Sequence, residues 1–174
     1  MIYCEPSRSE RTKLNRVLDR WGVFEFFKDK SLVIQKDDNS KAIVCLVTEK
    51  IKELGIHSLD PYGLGLAIGE LRKQFIPTIS GADLFARYGN KNQFYIVVNE
   101  RAEQLVLYGR DIMGESIIDA ASTLDENELV IVLNTSFEAI GIGRTRFAGK
   151  SLLQKGRVTV TVISDAGYYL REEG

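Results

Sequence analysis

The stretch ELVIVLNTSFEAIGIGRTRFAGKSLLQKGRVTVTVISD, residues 128–165, decides the architecture of the carboxyl-terminal half of the chain. Its first part predicts a strand over residues 129–133, a turn over residues 134–136 and a second strand around Ile140. Its last part alternates Val with Thr or Ile over residues 157–165, the period-two pattern of a strand with one core-facing side. We therefore predict a small sheet in which a loop joins the last two of these strands.

This loop, RTRFAGKSLLQKGR at residues 144–157, contains five cationic side chains and no carboxylate. Residues 95–174 contain only 8 Lys and Arg against 12 Asp and Glu, so the loop holds most of the positive charge in this half. A local excess of cations suits a polyanion, because each neutralised phosphate releases condensed counterions. The alternative is a solvated loop that keeps a sheet edge soluble, and charge alone does not separate the two interpretations.

Three blocks in the carboxyl-terminal half resemble PUA domains, the small RNA-binding pseudo-barrels of pseudouridine synthases and archaeosine transglycosylases. The blocks are LVLYGRDIM (105–113), the strand pair ending in GIGRTRF (141–147) and KGRVTVTVISDAGYYLREE (155–173). In PUA domains the glycine-containing helix and the final strands border the groove that receives RNA. The resemblance therefore implies that Gly109 and Arg110 lie at such a groove.

The amino-terminal half resembles the Nip-seven family of ribosome-biogenesis factors, which join a pre-PUA domain to a carboxyl-terminal PUA domain. The similar segments are TEKIKELG (48–55), GLAIGELRKQFIPTISGADLFARYG (65–89) and NQFYIVVNERAEQLVLYG (92–109). The resemblance implies an archaeal or eukaryotic source, RNA binding without catalysis, and work on the large ribosomal subunit. A net charge of -1 suits a transient assembly factor better than a strongly basic, constitutively bound ribosomal protein.

We predict an α+β amino-terminal domain packed on a carboxyl-terminal PUA-type β pseudo-barrel, with domains at residues 1–94 and 95–174. The mixed order of helices and strands argues against a regular βαβ repeat. The predicted helices span residues 6–21, capped by Ser7 or Ser9 and ended by Gly22, then 48–54 and 82–88. The predicted strands of the first half span residues 31–35, 42–47, 74–79 and 93–98, with a hairpin loop KDDNSK at 36–41.

Features that favour an enzyme are weak in this sequence. Gly63, Gly65 and Gly69 are spaced almost as in a dinucleotide-binding loop, but the third glycine comes one residue late, and a helix or turn packed closely on its neighbour is the preferred interpretation. His57 is the only histidine, which excludes sites built on several histidines. Cys4 and Cys45 lack the spacing of a metal or redox motif and are interpreted as reduced structural thiols. We expect no cofactor, no metal and no catalytic residue.

The expected function is RNA binding in large-subunit ribosome assembly, with ribosomal RNA as partner and pre-ribosomal proteins bound by the amino-terminal domain. The apolar runs are too short to span a bilayer and no secretory signal opens the chain, so we expect a cytoplasmic protein, nucleolar in a eukaryote. The predicted RNA-binding residues are Arg144, Arg146, Lys150, Lys155, Arg157, Gly109 and Arg110.

Three alternatives stay open at this point. The chain could act with the translation initiation machinery, serve as an accessory subunit of an RNA-modification enzyme, or be a protein-interaction module whose acidic surface binds a basic partner. Independent catalysis is disfavoured, because the residues before the PUA region contain no methyl-donor loop and no nucleophilic cysteine context.

Overall fold

The computed structural model describes residues 2–36, 42–53, 63–89 and 93–171. The chain forms two compact units, Met1–Gly81 and Ala82–Gly174. Helix α4 (Ile79–Tyr88) contains the division between them. The domain boundary predicted between residues 94 and 95 stays a prediction.

The first unit is built on a five-stranded antiparallel sheet whose strands lie side by side in chain order. The strands are β1 (Ile2–Cys4), β2 (Ser31–Lys36), β3 (Ala42–Val47), β4 (Leu66–Leu71) and β5 (Phe75–Pro77). The helices are α1 (Arg8–Arg20), α2 (Phe24–Phe27) and α3 (Glu49–Glu53). Strands β2 and β3 and helix α1 agree with the predicted elements. The KDDNSK loop and the predicted end of α3 at Gly55 fall wholly or partly outside the described residues.

Helix α1 begins at a complete capping box. The Ser7 side chain accepts from the Glu10 backbone N–H, and the Glu10 carboxylate accepts from the Ser7 backbone N–H at 2.9 Å. These two bonds satisfy backbone donors that the first helical turn leaves unpaired. The inner side of the helix buries Leu14 and Leu18, and Trp21 at its carboxyl end is also buried.

The glycine-spaced segment is a bend at Gly65, where φ is 71° and a Cβ would overlap the Leu46 carbonyl oxygen, followed by a strand from Leu66. The prediction of a turn packed closely on its neighbour therefore holds at Gly65, whereas the strand at Leu66–Leu71 was not predicted. Strand β4 crosses the sheet between β3 and β5. A Cβ on Gly69 would overlap the Phe75 ring of the neighbouring strand. The glycine is therefore explained by close packing inside the sheet and not by a phosphate-binding turn.

The second unit contains a six-stranded, barrel-like sheet in the order β7-β11-β10-β9-β6-β8. The strands are β6 (Tyr95–Val98), β7 (Ile112–Met113), β8 (Ile117–Ala120), β9 (Leu129–Leu133), β10 (Ala139–Thr145) and β11 (Val158–Asp165). The helices of this part are α5 (Glu100–Leu107) and α6 (Tyr168–Arg171). Strands β6 and β9 pair in parallel, whereas the other neighbours pair antiparallel. The core between sheet and helix α5 includes Ile96, Val106, Val130 and Val160.

Within the described part of the chain, no helix is both long and apolar enough to cross a membrane.

The Glu10 carboxylate at the start of α1 gives the first unit a pH-dependent stability. Hydrogen bonds from Ser7 and Lys36 lower its pKa from 4.5 to about 2. Because the pKa is lower in the folded protein than in the unfolded chain, the stabilisation is complete above about pH 4.5 and is lost as the pH falls toward 2.

We expect Glu10→Gln to lower the free energy of unfolding at pH 7 by roughly 0.3–1 kcal/mol, the range for a carboxylate at a helix amino terminus. The difference in unfolding free energy between this variant and wild type should disappear as the pH approaches 2. Urea unfolding followed by Trp21 fluorescence measures this, since Trp21 is the only tryptophan in the chain. A difference that stayed constant from pH 7 to pH 3 would contradict it.

Candidate nucleic-acid interface

The basic segment 144–157 is less of a loop than its sequence indicates. Arg144 and Thr145 complete strand β10, and residues Gly149–Leu153 form a 3-10 helix. The five predicted cations are consequently divided among different neighbourhoods of the second unit.

Arg144 supports the loop between β8 and β9. Its guanidinium donates to the Asn127 carbonyl oxygen at 2.9 Å and to the Asn127 Oδ1 at 3.4 Å. Asn127 has a left-handed backbone with φ of 64°, a conformation that asparagine tolerates better than most residues. Arg144 therefore helps to hold a turn. Its contact with Asn127 involves none of the other predicted site residues.

Arg146 lies beside the segment that follows Gly109 and Arg110. Its Nε donates to Thr161 Oγ1 at 2.8 Å and its Nη2 to Asp111 Oδ2 at 3.0 Å. The other carboxylate oxygen of Asp111 accepts from the Val162 backbone N–H at 3.0 Å. Asp111 thus connects Arg146 to strand β11, and the structure brings this cation close to the predicted groove residues.

Arg157 stacks on an aromatic ring at the opposite end of β11. Its guanidinium carbon lies 3.9 Å from the centroid of Phe147, and its Nη1 donates to Gln154 Oε1 at 2.8 Å. Phe147 is partly buried and packs against the core, so its ring supports the arginine. Lys150 and Lys155 are exposed and form no ion pair with another described residue.

Gly109 ends helix α5 in a left-handed conformation with φ of 71°. Its N–H donates to the Val106 carbonyl at 2.8 Å, and the Arg110 N–H donates to the Leu105 carbonyl at 3.0 Å. These two bonds form a Schellman motif, which closes the last helical turn and favours glycine at this position. Arg110 directly follows the motif and is exposed.

A groove of about 360 Å³ lies between Gly109 and the end of strand β11. Its wall includes Ile163, which is 42% exposed and is the additional residue of a β-bulge opposite Ile142 and Gly143. A bulge turns a side chain away from the regular alternation of the strand. Tyr168, at the start of α6, is 48% exposed and lines the groove from the other side.

The floor of the groove is a two-bond ion pair. Asp165 is only 6% exposed, and its two carboxylate oxygens accept from Arg171 at 2.8 and 2.9 Å. Arg171 also donates to the Leu107 carbonyl oxygen at the end of α5. The bond to Asp165 raises the pKa of Arg171, and the negative charge of the ionised Tyr108 and Tyr168 side chains raises it further.

The groove therefore offers stacking and hydrogen bonding in one place. Tyr108, which precedes Gly109, is 70% exposed. Exposed aromatic rings beside a guanidinium suit unpaired nucleic-acid bases, which stack on such groups and are read by hydrogen bonds at their edges. Sequence reasoning assigned no binding role to Tyr108, Ile163, Asp165, Tyr168 and Arg171. The sequence carried no signal for this grouping, because Tyr108 and Tyr168 are far apart in the chain and the bulge at Ile163 leaves no mark in the sequence.

Other predicted features carry no site in the described residues. Burial raises the pKa of the Cys45 thiol to about 11, which makes it unreactive at neutral pH. No group of three or more His, Cys, Asp or Glu side chains in the described ranges is arranged to hold a metal ion. His57 lies outside those ranges.

Family models match both halves of the chain. The pre-PUA domain of NIP7/UPF0113 matches residues 3–79, and the UPF0113 PUA domain matches residues 94–174. A UPF0113 protein of Archaeoglobus fulgidus is 31% identical over 175 residues, which cover 99% of this chain and 97% of that protein.

Solved structures share the architecture. A hypothetical protein of Pyrococcus horikoshii OT3 superposes with a TM-score of 0.71 at 20% identity, with 99% of each chain covered. A conserved PUA domain protein of Thermoplasma acidophilum has a TM-score of 0.71 at 16% identity, with 99% of this chain and 97% of that one covered. The predicted fold class, an α+β domain followed by a PUA-type pseudo-barrel, is confirmed.

Replacing Gly109 should destabilise the second unit through its backbone conformation. A Cβ at this position meets nothing closer than 3.4 Å, so the cost arises from the positive φ. We expect Gly109→Ala to lower the free energy of unfolding by about 1–2 kcal/mol. Gly63→Ala is the control, because Gly63 has an ordinary φ and open space, and it should be neutral. Urea denaturation followed by circular dichroism compares them, and equal stability of the two variants would contradict the helix end described here.

Proposed function

Because the chain belongs to the NIP7/UPF0113 family, we propose that it is a non-catalytic RNA-binding factor that acts in assembly of the large ribosomal subunit. The observation that carries the proposal is the groove at Gly109, where an exposed tyrosine lies beside the Arg171 guanidinium. Such a groove favours a single-stranded segment, since paired bases do not present their faces.

The phosphates of the bound strand are assigned to the cations near the groove. Arg110 and Arg146 lie on the side of Asp111, and Arg146 keeps about half of its side chain exposed. Guanidinium groups suit this role, because their planar donors match two phosphate oxygens at once. Arg157, Lys150 and Lys155 extend the cationic surface along the other end of β11, while Arg144 acts first as a support for Asn127.

The groove itself favours binding over chemistry. Its one buried carboxylate, Asp165, has both oxygens engaged by Arg171, so it is a poor general base. We propose ribosomal RNA as the target, pre-ribosomal proteins as partners of the first unit, and the cytoplasm as the location, with the nucleolus in a eukaryote. A net charge of -1 supports a factor that binds its target transiently.

Removing a groove tyrosine should weaken RNA binding without unfolding the protein. We expect Tyr168→Ala to reduce the affinity for single-stranded polyuridylate by about 5-fold to 150-fold, since base stacking on one aromatic ring contributes about 1–3 kcal/mol. Tyr88→Ala is the matched control, because Tyr88 is a comparably exposed tyrosine in α4 outside the groove. Fluorescence anisotropy measures both affinities. Equal binding by the two variants would remove the groove from the proposal.

Crosslinking in cells tests the ribosomal assignment. The tagged protein should yield reads that concentrate in large-subunit ribosomal RNA precursors, and Tyr168→Ala should deplete them. Reads confined to transfer RNA would favour an accessory role in RNA modification, and reads confined to messenger RNA would favour translation initiation. Either result would overturn the assembly role while leaving RNA binding intact.

A further inference from the structure

A pocket with a cationic rim lies in the first unit, between α1, α2 and the start of β2. Its volume is about 240 Å³. The rim contains four cationic side chains, Arg11, Lys28, Lys30 and Lys52. One carboxylate, Glu5, faces them, and the pocket is otherwise lined largely by apolar side chains such as Leu14 and Phe24. The pocket is thus positively charged at its mouth and apolar inside.

The single carboxylate is shared between two of the cations. Glu5 lies 2.9 Å from Lys52 Nζ and 3.7 Å from Arg11 Nη2. One negative charge cannot neutralise two positive ones, so the pair of cations keeps a net positive charge. The carboxylate therefore also holds two cations near each other at the rim.

The other two cations differ in their surroundings. Lys28 pairs with Glu25 at 2.6 Å, and that partner does not line the pocket. Lys30 forms no ion pair with another described residue, and its ammonium lies 5.4 Å from the centre of the Phe26 ring. Lys30 is consequently the least compensated charge of the rim.

Of the two units, the first also carries the more positive net charge. Residues 1–81 contain 13 Lys and Arg against 11 Asp and Glu, whereas residues 82–174 contain 10 against 13. Electrostatic affinity for a polyanion comes from cations that displace counterions. The unit that holds the groove is net negative, so the first unit is the better source of that affinity.

We propose that this pocket is a second RNA contact, which binds a backbone phosphate between Arg11, Lys30 and Lys52 and lays the adjoining sugar or base against Phe24. The inference rests on the proposed RNA-binding function and adds a site on the other unit.

Two substitutions of opposite expected effect test the pocket. Lys30→Gln removes a phosphate-binding cation, and we expect polyuridylate affinity to fall about 3-fold to 5-fold, with a salt slope shallower by about 0.7–1. Glu5→Gln removes the charge that competes with phosphate for Arg11 and Lys52, and we expect affinity to rise about 2-fold to 3-fold. Misfolding does not produce a gain, so the second variant separates a binding role from a structural one.

Matched controls remove the effect of overall charge. Lys13→Gln changes an exposed cation of α1 that does not line the pocket. Glu70→Gln releases Arg72 from a 2.5 Å ion pair elsewhere in the same unit. Both should bind polyuridylate like wild type when anisotropy is measured over a series of salt concentrations.

The outcomes separate this inference from the proposed function. If wild type does not bind polyuridylate at low salt, RNA binding itself fails. If wild type binds but the Lys30 and Glu5 variants match their controls, only the second contact fails. Displacement of RNA by polyglutamate as effectively as by unlabelled polyuridylate would assign the pocket to acidic proteins and overturn the inference.

Discussion

The ion pair between Asp165 and Arg171 is the interaction on which the candidate groove depends. A carboxylate as buried as Asp165 is costly without a partner, and Arg171 supplies two hydrogen bonds to it. The same guanidinium donates to the Leu107 carbonyl at the end of α5, where the helix dipole favours a cation. One side chain thus joins the end of β11, the end of α5 and the last helix.

This arrangement explains why the groove forms where regular structure stops. Helix α5 ends at the left-handed Gly109, and β11 is interrupted by the bulge at Ile163. Gly167 packs so closely on the Leu107 carbonyl that a Cβ there would overlap it. The bulge exposes Ile163, and the exposed Tyr108 lies next to the helix end. Binding residues are commonly found at such positions, because a rigid scaffold fixes irregular segments.

The sequence predicted the elements with strong periodicity and missed those set by distant contacts. Strands β9 and β11 and helix α1 follow from local patterns, and Ser7 was one of two predicted caps. Strand β4 was missed because the glycines at and before it indicate a loop, although a side chain at Gly69 would overlap the Phe75 ring. Family resemblance supplied Gly109 and Arg110, which charge and periodicity alone would not have selected.

The side chains of the basic segment 144–157 show the same limit, because the sequence does not reveal their distant contacts. Counting charges located five cations, but two of them have partners that are remote in sequence: Arg146 pairs with a carboxylate 35 residues away and Arg144 with a loop 17 residues away. Such partners reduce the charge that is available to a ligand, and composition does not reveal them. A charge cluster therefore identifies a region, whereas the hydrogen-bond partners decide which of its members can bind.

These partners also set the character of the binding. A phosphate that approaches Arg146 competes with Asp111 at 3.0 Å, so this arginine contributes less than an unpaired cation would. Stacking on the groove residue Tyr168 is not reduced in this way and amounts to about 1–3 kcal/mol for one ring. An affinity that comes from base stacking changes less with salt concentration than an affinity that comes from phosphate contacts. It also discriminates single strands from duplexes. Both properties suit the proposed binding of an unpaired RNA segment.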